Sequence, residues 1–186
     1  MKRMRGDQLT GGTRDVNPQW LNCPTLTQSG ADTTTTQEVN INLSKLPTSP
    51  NSAIVMEILK ILLTTTPLPN IASVTEVLDQ IVATVSTSTG GTTALAFNDS
   101  RVIAQLTQQQ RGAFTAAGTY ANTLPGVLEA DLTDGAGHGM LVATDSIFLQ
   151  CSSTTTGNSN VVSCKILYRF KKIGLTEYIG IVQQQQ

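Results

Sequence analysis

At 186 residues the chain can bury one hydrophobic core and is too short for two comfortable ones. Charge is sparse, with 12 Lys+Arg against 13 Asp+Glu and a net charge of −1, while threonine is abundant at 28 residues. No apolar run approaches the roughly 18 residues that a bilayer-spanning helix needs, and the Thr, Val and Ile content favours strands over helices.

Residues 1–36 read as an extended N-terminal arm. Gly, Asn, Pro, Ser and Thr punctuate it, and its only anchors are Trp20, Leu21 and Leu26. The basic cluster Lys2, Arg3 and Arg5 opens the arm with no apolar h-region behind it. It therefore does not read as a signal peptide, and folding in a reducing compartment is expected. Trp20, the only tryptophan, is expected to pin the arm onto its own domain or onto a neighbouring subunit.

Beyond the arm, Gln37 to Leu43 alternates with Val39, Ile41 and Leu43 on one side, as a half-buried strand does. Residues 53–66 read as a buried strand, although Glu57 and Lys60 would share one face of a helix. Ser73-Val-Thr-Glu76 has the form of a capping box and predicts a short helix over 73–80. A strand is expected after Gln80, closed by Gly90-Gly91, and another over 101–107. A Gly/Ala/Thr-rich connection fills 108–125.

From Leu128 to Val182 apolar and polar residues alternate over long runs, interrupted by a Gly-rich turn at 134–139. A tight turn centred on Gly157-Asn158 predicts a long hairpin. It sets Cys151 opposite Cys164, Leu149 opposite Ile166 and Ile147 opposite Tyr168, all on one apolar face. Asp145 falls on the apolar parity, which predicts a bulge near Thr144-Asp145. Cys151 and Cys164 read as small buried hydrophobes, with a bridge across the hairpin as the alternative. About eight strands, one short helix and no βαβ alternation predict an all-β fold, a single antiparallel sandwich of jelly-roll type.

Chemistry finds little purchase here. His138 is the only histidine, with Asp131, Asp134 and Ser146 near it in the chain, but no spacing points to a Ser/His/Asp site. Cys23, Cys151, Cys164 and His138 lack the paired short spacings of a zinc site. No catalytic residue, metal or cofactor is predicted. Lys165, Arg169 and Lys171 share a parity opposite Ile166, Tyr168 and Phe170, and Lys172 adjoins them. With Lys2, Arg3 and Arg5 they are the candidate nucleic-acid contacts, against the plainer reading of a solvated face.

Residues 131–150, Asp-Leu-Thr-Asp-Gly-Ala-Gly-His-Gly-Met-Leu-Val-Ala-Thr-Asp-Ser-Ile-Phe-Leu-Gln, and 166–183, Ile-Leu-Tyr-Arg-Phe-Lys-Lys-Ile-Gly-Leu-Thr-Glu-Tyr-Ile-Gly-Ile-Val-Gln, resemble the C-terminal part of capsid proteins of small circular Rep-encoding single-stranded DNA viruses. The resemblance implies a jelly-roll shell domain over 37–186 that assembles with copies of itself, as a 60-subunit T=1 shell, around packaged single-stranded DNA. It implies a virion location after assembly inside the host cell, no membrane and no active site. Many such proteins carry a long Arg/Lys-rich arm. This chain has Lys2, Arg3, Arg5 and Arg14 there, so the DNA is expected to be weakly bound. The alternative reading is a β-sandwich attachment, spike or carbohydrate-binding module that forms no shell.

Overall fold

The computed structural model describes residues 17–43, 46, 51–68, 77–112 and 126–185. Among these residues ten strand segments and one helix follow in chain order: β1 (Gln19–Asn22), β2 (Leu26–Thr27), β3 (Thr34–Asn40), β4 (Ser52–Thr65), β5 (Val77–Ser86), β6 (Val102–Gly112), β7 (Leu128–Asp131), β8 (Met140–Val142), β9 (Ser146–Thr154), β10 (Val161–Gly174) and α1 (Leu175–Gln184).

Two antiparallel sheets result. The first runs β1-β10-β4-β7, with β2 continuing β1 along β10 and β8 continuing β7 along β4; the second runs β3-β9-β5-β6. Counting β1/β2 and β7/β8 as one interrupted strand each leaves eight strands, which can be lettered B to I. The sheets then read B-I-D-G and C-H-E-F, and every connection except E–F passes from one sheet to the other. That strand order is the jelly roll.

The apolar alternation explains the core. Met56, Ile58, Ile61 and Leu63 of β4 and Cys164 and Ile166 of β10 face Ile81, Ala83 and Val85 of β5 and Ile147, Leu149 and Cys151 of β9. Strand β4 shifts register at Leu59, where Leu167 pairs with Lys60 and Tyr168 with Ile58. Part of its outer side is also buried, because α1 covers it: Val55, Ala143 and Ile173 form a second small core with Tyr178, Ile181 and Val182. A strand buried on both sides has no clean alternation, which is why residues 53–66 are ambiguous in sequence.

Several expectations change. The predicted hairpin is absent: β9 pairs with β3 and β5, β10 pairs with β1, β2 and β4, and the two lie in opposite sheets. Cys151 stands beside Ala83 and Thr35, Cys164 beside Leu63, and both are buried free thiols. Residues 155–160 arch between the sheets, with Thr155 and Gly157 at positive φ. In place of a bulge at Asp145 the chain turns the corner from β8 to β9, and the Asp145 carbonyl accepts from the Ile41 and Asn42 amides. Residues 77–80 of the expected helix are strand, and 73–76 lie outside the described residues. The alternating stretch read up to Val182 ends earlier as strand, at Gly174, and residues 175–184 are helical. The expected arm boundary at residue 36 falls inside β3, and Trp20, Leu21 and Leu26 already belong to the first sheet.

Buried amides tie loops to sheets. The Gln150 side chain, 2% exposed, accepts from the Leu95 amide (3.0 Å) and donates to the Thr93 carbonyl (3.1 Å) and Thr36 Oγ1 (3.2 Å). Gln105 Nε2 donates to the Leu95 carbonyl (3.0 Å) and Thr84 Oγ1 (3.1 Å). Together they hold the 87–101 connection against the second sheet. Gln150→Ala strips the Leu95 amide of its acceptor, so a loss of about 2 kcal/mol is expected. Urea denaturation checks the total, and hydrogen exchange should quicken first at Leu95.

At the opposite end, Gln28 Oε1 accepts from the Asn160 amide (3.1 Å), Asn160 Nδ2 (2.9 Å) and Ser153 Oγ (3.1 Å). Asp32 Oδ1 accepts from the Thr156 amide (2.8 Å). These bonds join the 28–33 turn to the 155–160 arch.

Candidate interface on the outer face of the first sheet

The predicted basic residues of β10 lie on the solvent side of the first sheet. Lys165, Leu167, Arg169, Lys171 and Ile173 point outward there, since Cys164 and Ile166 point inward and side chains alternate. Strand β1 adds Trp20, paired with Leu167, and Asn22, paired with Lys165. Strands β4 and β7 add Lys60, paired with Asp131, and Leu62, paired with Glu129.

Glu57 organises the middle of this face. It stands directly opposite Arg169 across the ladder, and its side chain is fully buried. Arg169 Nε donates to Glu57 Oε2, and Arg169 Nη2 to the Gly137 carbonyl at 3.1 Å. Lys171 Nζ lies 3.5 Å from Glu57 Oε1, which also accepts from the Gly139 amide at 3.1 Å. Burial pushes the Glu57 carboxyl up. The hydrogen bonds from Arg169 and Gly139 and the charges of Lys171 and Arg169 outweigh it, and the carboxyl sits below its ordinary value.

The Gly-rich turn is built on the same anchor. Asp134 Oδ1 accepts from the amides of Ala136 (2.9 Å) and His138 (3.0 Å), and its Oδ2 lies 3.1 Å from His138 Nδ1. Asp131 Oδ1 accepts from Thr133. Ser146 donates to Glu38 and to Asn40 Oδ1 (3.2 Å). His138 is paired with Asp134, but Ser146 bonds to Glu38 and Asn40 and not to the histidine, so the three form no relay. Among the described residues, no three His, Cys, Asp or Glu side chains gather as metal ligands. Between α1 and the 96–101 turn lies a recess of about 500 Å³, lined by Ser100, Met140, Leu141, Ile181, Gln184 and Gln185, with no charged group in its wall.

The structure thus divides the predicted contacts. Arg169 and Lys171 are committed to Glu57. Lys165 is exposed on the same face, and Lys172 is exposed on the opposite parity of the strand. Lys60 is bridged to Glu129. Lys2, Arg3 and Arg5 lie outside the described residues. Among the described residues, four cations (Lys60, Lys165, Arg169, Lys171) against three carboxylates (Glu57, Glu129, Asp131) leave this face close to neutral. Trp20, 47% exposed, stands beside Leu167 at the edge of the face. Sequence reasoning missed Glu57 as the hub. Its signal is a lone carboxylate in an apolar run that meets arginine once β4 and β10 are paired.

No protein-family model and no curated protein sequence matches the chain. Among solved structures it is similar to VP1 of Trichodysplasia spinulosa-associated polyomavirus in complex with 3′-sialyllactose, at 10% identity and TM-score 0.46 over 88% of this chain and 100% of that one. The same VP1 in complex with GM1 oligosaccharide gives 11% identity and TM-score 0.47 over 88% and 97%. Merkel cell polyomavirus VP1 in complex with GD1a oligosaccharide gives 10% and 0.41 over 88% and 97%. The fold assignment rests on the strand order of this chain and not on these likenesses.

No helix among the described residues is long and apolar enough to cross a membrane.

Proposed function

We propose that the chain is a viral coat protein, a jelly roll whose copies close into a small icosahedral shell around a circular single-stranded DNA genome. The finer form of the proposal is a 60-subunit T=1 shell, located in the virion, with no catalytic role. One agreement carries it. Residues 131–150 and 166–183 resemble capsid proteins of small circular single-stranded DNA viruses, a likeness that implies a single jelly roll, and the strands of this chain are ordered as one.

The surface is compatible with repeated modest interfaces. Trp20 on β1, Phe97 in the 87–101 connection, and Leu175 and Ile179 one turn apart on α1 are exposed apolar side chains that neighbours can cover. With Arg169 and Lys171 both paired to Glu57, DNA is held by few free charges per subunit. Summed over a shell, these still act together.

Electron microscopy of the purified protein tests the reading. Closed particles of uniform diameter are expected, whereas discrete trimers or monomers favour the attachment-module alternative. A raised 260/280 nm absorbance ratio that falls on washing in high salt is the expected sign of weakly held nucleic acid.

A further inference from the structure

A second feature of the first sheet concerns its thiols, and it stands apart from the coat-protein reading. The β1–β10 register pairs Asn22 with Lys165, and the next position sets Cys23 opposite Cys164. The Cys23 amide donates to the Cys164 carbonyl at 3.1 Å. Leu21, two residues before Cys23, pairs with the core residue Ile166, so Cys23 and Cys164 both point inward and pack in one cluster. Directly opposite positions of an antiparallel ladder have Cα atoms about 4.5–5.5 Å apart, inside the range of about 4.4–6.8 Å that a disulfide spans.

We propose that Cys23 and Cys164 are a dithiol that a small-molecule disulfide oxidises to a cross-strand disulfide, latching β1 to the centre of the first sheet. Cys23 is the entry point, being half-buried, while Cys164 is 3% exposed. The Cys23 thiolate attacks one sulfur of oxidised glutathione, forming a mixed disulfide and releasing one glutathione thiolate. The Cys164 thiol then loses its proton and attacks Cys23 Sγ, forming the protein S–S bond and releasing the second glutathione. Two protein thiols are oxidised and one glutathione disulfide is reduced.

The environment suits that order of events. A hydrogen bond from Cys164 holds the Cys23 thiol below the ordinary cysteine range against the opposing effect of burial. The same contact, with burial, pushes Cys164 up. Cys151 stands in the other sheet, where burial pushes its thiol up to about 11. The link joins residues far apart in sequence and so restricts the unfolded chain strongly.

The test treats the full chain with oxidised glutathione, blocks remaining thiols under denaturing conditions, and maps peptides without reduction. No lysine or arginine separates Cys151 from Cys164, so the C151S chain is run beside the parent. Both are expected to show the Cys23–Cys164 link, with Cys151 blocked as a free thiol in the parent. Melting temperature should rise by about 5–10 °C over the reduced protein, and C23S and C164S should show no oxidant-dependent rise. A glutathione adduct that goes no further, a link to Cys151 or between two chains, or unreacted thiols throughout would each overturn the proposal. Failure of shell assembly has no bearing on this result.

Discussion

Glu57→Ala is expected to cost about 3–5 kcal/mol of folding stability. The substitution leaves Arg169, whose side chain is 18% exposed, facing Lys171 with no carboxylate between them. It also removes the acceptor for the Gly139 amide. Two neighbouring strands and the Gly-rich turn lose their shared anchor at once, so the loss should exceed that of breaking the exposed Lys60–Glu129 bridge, worth about 0–1 kcal/mol. Denaturant midpoints measure both.

Glu57→Gln isolates the charge. The folded-state pKa of Glu57 lies below the unfolded value, so its contribution is complete above the ordinary carboxylate range and is lost as pH falls through the folded value. Asp99, held down to about 2 by its hydrogen bonds from Arg101, adds to the same acid slope. The parent should therefore lose stability on acidification below about pH 4.5, and Glu57→Gln should lose less over that interval. Parallel pH profiles for the two proteins would sink the assignment of Glu57 as a charged hub.

Among the described glycines, Gly139→Ala should be the most damaging added methyl. A Cβ at this position would lie 2.1 Å from the Ile58 carbonyl oxygen and 2.8 Å from its carbon, both backbone atoms that cannot swing aside. Strand β8 must move off β4 to admit it, which also breaks the hydrogen bond that the Gly139 amide donates to Glu57. About 3 kcal/mol or more is expected, read as a lower denaturant midpoint at unchanged slope. Gly135 and Gly137 provide the comparison. Each has open space around it and a positive φ, 81° and 88°, so alanine there meets only the left-handed backbone cost of about 1–2 kcal/mol. If Gly139→Ala proves no worse than Gly137→Ala, the close approach of β8 to β4 is wrong.

Much of this fold was legible because burial writes itself into alternation. Ile147, Leu149 and Cys151, and Cys164 and Ile166, were assigned to the interior, and all are buried. Alternation names the inward face of each strand but not its hydrogen-bonded neighbour. In a sandwich, two amphipathic strands can bury the same residues side by side in one sheet or face to face across the core. The Gly157-Asn158 signal suggested the first arrangement, and the 155–160 arch makes the second.

The helix at the end of the alternating stretch is hidden for a related reason. Tyr178, Ile181 and Val182 have helical spacing, but Gly180 and the β-branched residues blur it, and what decides the helix is the small core beneath it at Val55, Ala143 and Ile173. Glu57 was legible only as an oddity, because its meaning depends on the β4–β10 register. The cationic stripe was correctly placed on one face, yet sequence parity cannot reveal that a buried carboxylate already occupies two of its members.

Sedimentation velocity of the purified chain at neutral pH, monitored at 260 and 280 nm, puts the coat-protein account to its most direct trial. The account predicts one fast boundary of closed particles, carrying nucleic-acid absorbance that high salt reduces. A single slow boundary for the 19.8 kDa chain or a small oligomer of it, unchanged across salt and protein concentration, would contradict it.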